Sequence, residues 1–427
     1  MPDRAVRRTA PRILCAVFSR RLKWPFPSNR LSRLLDDKRA RGARVLDLTE
    51  SNPTRVGLRY PAEAIGAALR TAGAAAYEPT ARGLEQARTA VSEWHARRGR
   101  PAAPERILLT ASTSEAYAFL FKLLADPGEH VLVPRPSYPL FDYLAALEGV
   151  RASAYPLNYD DRWSIDLEAL ERACGAATPP RAIVVVNPNN PTGSAVQVGE
   201  RARLEEIAAA AGAAIISDEV FFDYLDAPGA AGDASGSERR AVSLLPPGAG
   251  SAGTARTGGG ALKFVLGGLS KSCGLPQMKL AWVIVDGPDD RVGEAMDRLE
   301  LVADTYLSVS TPVQQAAISL LAIGEEVRTA IRRRLDANLD RLRRAVGSAS
   351  ACRVLGRDGG WSAILQVPAV LSEEDMVLDL LAQDDVLVHP GYFFDFPREA
   401  FLVLSLLPGQ DMFGEALQRI LARIDRR

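Results

Sequence analysis

Hydrophobic positions along this chain fall into two rhythms. The first is a series of near-continuous apolar runs: "RILLT" (106–110), "HVLVP" (130–134), "AIVVVN" (182–187), "AAIISDE" (213–219), "FVLGGLS" (264–270) and "AWVIVD" (281–286). Runs that are apolar at almost every position predict strands covered on both faces, and so a mainly parallel sheet between layers of helix, an α/β fold. The second rhythm is helical. In "RGLEQARTAVSEWHARRG" Leu84, Ala87, Val91 and Trp94 share one stripe, and "ASTSEAYAFLFKLLAD" reads as a helix that opens at a Ser/Thr-rich end.

After about residue 288 the pattern changes. "TPVQQAAISLLAIGEEVRTAIRRRLDANLDRLRRAV" is long and helical with Arg-rich faces, and the short strand candidates "WSAILQV", "VLVHP" and "FLVLSLL" follow it. That succession predicts a smaller α+β domain. The Gly/Ala/Ser/Pro-rich stretch 227–260 reads as an irregular loop. The first residues are Arg-rich around a short apolar patch, ILCAVF, too short to span a bilayer, and predict a basic extension without fixed structure.

Composition narrows the class of partner. The 427 residues suffice for two domains, and Lys+Arg and Asp+Glu both number 52, so no net field draws the chain to nucleic acid or to acidic lipid. A small molecule, or a second copy of the chain, is the expected partner. Cys15, Cys174, Cys273 and Cys352 are widely spaced and form no C-x-x-C pair, and His95, His130 and His389 are equally scattered. This spacing argues against a disulfide framework or a metal site and fits a reducing, cytoplasmic setting.

Candidate chemistry gathers where the apolar runs end, the edge at which open α/β sheets bind ligands. "ASTSEA" offers hydroxyls and free N–H groups at a helix start, suited to a phosphate, although a simple helix cap explains it equally well. Tyr138 in "PRPSYP" has a face that can stack on a planar ring or pack on the core. "NPNNPTG" places Asn189 and Asn190 directly after a buried run. Asp218 ends another, where an unpaired carboxylate is expensive and calls for a cation. Lys271 stands after "FVLGGLS", where burial lowers an amine's pKa and frees it as a nucleophile. Phosphate cradle, aromatic, amide, carboxylate and lysine are together the parts of a pyridoxal 5′-phosphate site.

With "LTESNPT", "YEPTARGLEQAR", "ASTSEA", "PRPSYP", "NPNNPTG", "SDEVFFDY" and "GGLSKSCGLPQMKLAW", the chain resembles the class I/II aminotransferases among the fold-type I pyridoxal-phosphate enzymes, over roughly residues 40–410. The resemblance implies an aspartate aminotransferase-like fold: a large domain with a mainly parallel, seven-stranded-type sheet, and a smaller α+β domain. It also implies an extension over 1–24, a segment 25–70 joining the small domain, a cofactor-binding domain over 71–300 and a small domain over 301–427. The implied reaction moves an amino group between an amino acid and a 2-oxo acid through a Schiff base on Lys271, in a homodimer with shared active sites. Asp218 matches the partner of the ring nitrogen, Asn190 the amide near the ring oxygen and substrate carboxylate, and Tyr138 the stacking aromatic. Ser112, Thr113, Ser114, Ser270 and Lys279 match the phosphate site, and Tyr77 the residue that reaches the neighbouring subunit's phosphate.

Several positions depart from that pattern. Phe221 stands where many members have a tyrosine donating to the ring oxygen, Lys279 where they have an arginine, and Gly268 where a serine is common. In the strand candidate "FLVLSLL", Val403 takes the place of the arginine that grips the substrate carboxylate. Arg55, Arg59 and Arg398, with Ser51, are the candidates to replace it, or the substrate lacks that carboxylate. His389 in "VHPGYFFDF" reads as structural. Other chemistry on the same cofactor, C–S lysis or decarboxylation, and a non-catalytic relative are the alternatives.

Overall fold

The computed structural model describes residues 19–22, 29–70, 76–226, 240–247, 260–347 and 350–426. Most of the N-terminal extension and most of the 227–260 stretch lie outside the described residues. After a short β1 (Leu46–Asp47), eight strands build the main sheet: β2 (Ile107–Thr110), β3 (His130–Arg135), β4 (Arg151–Asp160), β5 (Arg162–Ile165), β6 (Ala182–Val186), β7 (Ala214–Asp218), β8 (Lys263–Gly268) and β9 (Ala281–Asp286). Their order is β2-β9-β8-β7-β6-β3-β4-β5. The central pairs β4–β3, β3–β6, β6–β7 and β7–β8 are parallel, and the outer pairs are antiparallel.

All six apolar runs are strands, and β6, β7, β8 and β9 are buried at every position. The sequence pattern missed β4 and β5, which make the sheet eight-stranded rather than of the expected seven-stranded type. They form a hairpin at one edge, and β4 alternates between buried and exposed positions, contains Pro156 and never shows a continuous apolar run.

A second sheet forms from β10 (Arg353–Val354), β11 (Ser362–Gln366), β13 (His389–Pro390) and β14 (Phe401–Ser405), all antiparallel, while β12 (Val386–Leu387) pairs in parallel with β1. The long helix Ala317–Ala345 lies against this part. Strand β14 is covered on both faces by the period-two rule. Phe401 and Val403 join the apolar cluster of the main sheet, and Leu402 and Leu404 join that of the small sheet.

The topology sets where a ligand can meet the chain. Because β2 runs antiparallel to β9, and β9 antiparallel to β8, β2 points the same way as β8. The carboxyl ends of β2, β3, β6, β7 and β8 therefore open on one edge, and the segments after them carry Ser112–Ser114, Tyr138, Asn190, Asp218 and Lys271.

Gly193 fastens the turn after β6 to the loop that leads into β11. Its φ is +69°, and a Cβ there would lie 2.5 Å from the Gly359 carbonyl oxygen and 2.9 Å from Arg357 Cβ. The Asp358 and Gly359 N–H groups donate to its carbonyl at 2.9 and 3.0 Å. Gly193→Ala combines an unfavourable left-handed backbone with a backbone clash and is expected to cost about 2–4 kcal/mol of stability, read as a lower melting temperature.

Candidate active site

Asp218 is the last residue of β7 and is 9 % exposed. Its Oδ1 accepts from the Val220 N–H and its Oδ2 from the Tyr117 hydroxyl, each at 3.2 Å. Burial pushes its pKa up to about 6; those two hydrogen bonds and the nearby Lys271 pull it down, while Glu219 adds to the rise. Among the described residues no ion pair within 4.0 Å offsets the cost of the buried charge, so the position is suited to a cationic ligand atom.

Lys271 stands in the helical turn Leu269–Ser272 directly after β8. Its half-buried amine lies 3.5 Å from the Ser51 carbonyl oxygen, 4.7 Å from the centre of the Trp361 ring and 5.6 Å from that of Phe221. Burial lowers its pKa to about 8, with Asp218 and Glu50 pulling it back up. With its pKa near 8, about a tenth of this amine is in the neutral, nucleophilic form at pH 7.

The 219–224 segment that follows Asp218 is braced on both sides. The Tyr224 hydroxyl donates to the Lys271 carbonyl oxygen at 2.8 Å. Behind the loop, buried Arg100 pairs with Glu219 at 3.7 Å and Asp223 at 3.2 Å, and Arg98 with Asp223 at 3.4 Å and with Glu325. Two guanidinium groups thus hold the 219–224 segment against the end of the helix Glu85–Ala96.

The other expected residues are distributed unevenly around this centre. Tyr138 follows β3 near enough to Asp218 for the carboxylate to add to the rise that burial imposes on its pKa. Asn190 is half-buried, and its Oδ1 accepts from the Ser362 hydroxyl at 3.4 Å. Its neighbour Asn189 is buried and structural: its amide donates to the Pro136 carbonyl oxygen and the Thr192 hydroxyl, and accepts from Ser137.

Ser112 caps the helix Thr113–Leu124, accepting from the Glu115 N–H at 3.2 Å. That leaves the Thr113 and Ser114 N–H groups at the helix start, where an anion is favoured. Ser270 is half-buried, Lys279 is exposed at φ +50°, and Tyr77 is 75 % exposed. Arg55 and Arg59 are exposed, while Arg398 is exposed over the Phe401 ring at 5.6 Å and Val403 is buried. His389 packs on Phe393 and Phe394, as a structural residue would.

Tyr117 and Trp361 were missed in the sequence. Tyr117 is an aromatic one turn into a helix, and Trp361 follows "DGG"; neither has a local signal that distinguishes it from core. The assembled groups fit pyridoxal phosphate. A buried carboxylate with no ion pair within 4.0 Å among the described residues suits the ring nitrogen, a depressed amine suits the aldehyde, and the Thr113 and Ser114 N–H groups at the helix start suit the phosphate.

The pKa of Asp218 has a consequence for stability. A folded value near 6 against an unfolded value near 3.8 means the native state holds the extra proton between those pH values, so stability falls as pH rises through that window. In the cofactor-free protein Asp218→Asn is expected to be more stable than the unaltered chain by about 2–3 kcal/mol above pH 6, the gain vanishing below about pH 4. Chemical denaturation at pH 4 and pH 8 reads this difference.

Comparison with known proteins agrees with the geometry. The family profile described as "Aminotransferase class I and II" matches residues 43–420. Glutamate-pyruvate aminotransferase AlaA of Haemophilus influenzae is 25 % identical over 403 residues, covering 89 % of this chain and 90 % of that one. S-alkyl-thiohydroximate lyase SUR1 of Arabidopsis thaliana is 30 % identical over 230 residues, covering 53 % and 44 %. The solved structure of alanine aminotransferase from Pyrococcus furiosus superposes with a TM-score of 0.78 at 23 % identity, covering 93 % of this chain and 96 % of that one, and shares its fold. The chain belongs to the class I and II aminotransferases and is a pyridoxal-phosphate-dependent transaminase of the aspartate aminotransferase-like fold.

Proposed function

We propose that Lys271 bonds the cofactor and moves the reacting proton, that Asp218 holds the protonated ring nitrogen, and that the enzyme transfers an amino group from an amino acid to a 2-oxo acid. The observation that carries this reading is the pairing of a depressed amine with an elevated, buried carboxyl at the ends of adjacent parallel strands β7 and β8. When bound, pyridoxal phosphate supplies an aldehyde carbon for the incoming amine and a ring that accepts the electron pair released at the substrate α-carbon. Lys271 Nζ, in its neutral form, would take the proton from that carbon. Asp218, ionised above pH 6, keeps its two oxygens towards a cation.

The remaining roles follow from position. The Thr113 and Ser114 N–H groups, the Ser112 and Ser270 hydroxyls and Lys279 surround the phosphate, and Tyr138 stacks on the ring. Asn190 and Arg55 meet the substrate carboxylate in place of the β14 residue Val403. Support for Arg55 comes from its loop, because the Ser51 carbonyl four residues earlier touches Lys271. Arg398, exposed over Phe401, has no role in this reading.

The working unit is a homodimer in the cytoplasm, in which Tyr77 reaches the neighbouring phosphate. The exposure of Tyr77 and of Leu301, Tyr306 and Ile318 supports an apolar contact between copies. Buried, unpaired Cys174, Cys273 and Cys352 suit a reducing compartment, and among the described residues no helix is long and apolar enough to cross a membrane. The main sheet between residues 107 and 286, the small sheet between 353 and 405 and the β1–β12 pair support division into a 71–300 domain and a 301–427 domain joined by 25–70.

Elimination of a β-substituent is the second reading, supported by the likeness to the thiohydroximate lyase. A donor half-reaction that leaves pyridoxamine phosphate favours transfer; pyruvate and ammonia from a β-substituted amino acid favour elimination. Lys271→Ala is expected to slow transamination about ten-thousand-fold, and borohydride treatment of the unaltered holoenzyme is expected to fix the cofactor on the Lys271 peptide, as mass mapping reports. Fixation on another lysine removes Lys271 from the role. Arg55→Ala is expected to raise the donor KM about tenfold or more with little change in kcat, while Arg398→Ala leaves both unchanged, in steady-state assays with glutamate and alanine.

A further inference from the structure

We propose that the Tyr117 hydroxyl is a positioning group for Asp218, a permanent neutral donor that fixes the Oδ2 atom and favours the charged carboxylate; the inference rests on Asp218 being the partner of the ring nitrogen. Tyr117 lies one turn into the helix Thr113–Leu124 and is 3 % exposed, so its hydroxyl needs a partner inside the protein. That partner is Asp218 Oδ2 at 3.2 Å. The ring cannot drift, because Phe121 and Phe141 pack on it with centroids 5.8 and 5.4 Å away.

The arrangement divides the work between the two oxygens. Oδ1 is served by the Val220 N–H of the same loop, and Oδ2 by a phenol brought from a helix on another part of the sheet. Both are neutral donors, and neutral donors favour the ionised acceptor. They fix the plane of the carboxylate without supplying the positive charge it lacks, so each oxygen keeps a lone pair for an incoming cation. A cationic partner in place of Tyr117 would compete with the ring nitrogen; a phenylalanine would leave Oδ2 bare and the neutral acid favoured.

The donor is itself protected from titration. Burial, the Asp218 charge and nearby Tyr155 hold the Tyr117 phenol well above its ordinary pKa, so it stays protonated throughout the working range. The other groups that face Asp218 are Tyr138 from the loop after β3, Lys271 from the turn after β8 and Glu219 beside it in the chain. Among these, only Lys271 is a cation.

The test compares two variants by infrared difference titration of the cofactor-free full-length protein, with Asp218→Asn as the blank that identifies the Asp218 carboxyl band. Tyr117→Phe keeps the ring and its packing but removes the hydroxyl; Phe121→Leu disturbs the packing around Tyr117 but keeps the hydroxyl. The expected result is an upward move of the Asp218 midpoint by about one pH unit in Tyr117→Phe and none in Phe121→Leu. No upward move in Tyr117→Phe, or an equal move in both variants, overturns the proposal. Retention of full transaminase activity by Asp218→Asn would instead overturn the role of Asp218 at the ring, and the titration result would stand apart from it.

Discussion

A carboxylate held almost dry at the end of a central strand is the constraint around which the rest of this protein is arranged. Leaving Asp218 charged without a cation costs free energy that a folded protein does not tolerate at an arbitrary place. The surrounding structure reduces that cost without removing it. Two neutral donors orient the carboxylate, and the amine of Lys271 stands in the turn after the next strand, without an ion pair to Asp218 within 4.0 Å. The residual imbalance is chemically useful. It leaves an unmet demand for a protonated ring nitrogen on one side and an amine close to its neutral form on the other.

Such a site holds its geometry only on a rigid mount. The parallel core β3–β6–β7–β8 supplies one, because these strands are covered on both faces and their ends cannot shift independently. The 219–224 loop is the weak point, since it leaves the sheet. It is tied at both ends, by Asp218 in β7 and by the Tyr224 contact with Lys271, and it is gripped from behind by the buried pairs of Arg98 and Arg100 with Asp223 and Glu219. Buried pairs of this kind add little net stability, yet removing one partner strands a charge, so they fix the loop in one conformation.

Two of the departures at the site, Phe221 and Val403, are apolar. Phe221 and Trp361 place aromatic faces beside the Lys271 amine, and Val403 turns its apolar side chain into the cluster of the main sheet. The pocket around the lysine is thus less polar than a site built from tyrosine and arginine at those positions. A drier pocket lowers the pKa of the amine.

The six apolar runs, the family and a candidate set of cofactor-binding groups were legible in the sequence. A buried parallel strand must be apolar at nearly every position; Asp218 ends such a run, and Asn190 and Lys271 follow one within a few residues, so order along the chain marks them as candidates. Strands β4 and β5 were not legible, because a half-exposed hairpin leaves no continuous run. Nor were the roles of Tyr117 and Trp361. Tyr117 meets Asp218 across a separation of 101 residues, and Trp361 meets Lys271 from the other sheet. Local pattern reports only which face of an element is buried; which side chains then touch depends on strand order and on how one sheet packs against another, and those are fixed only when the whole chain has folded.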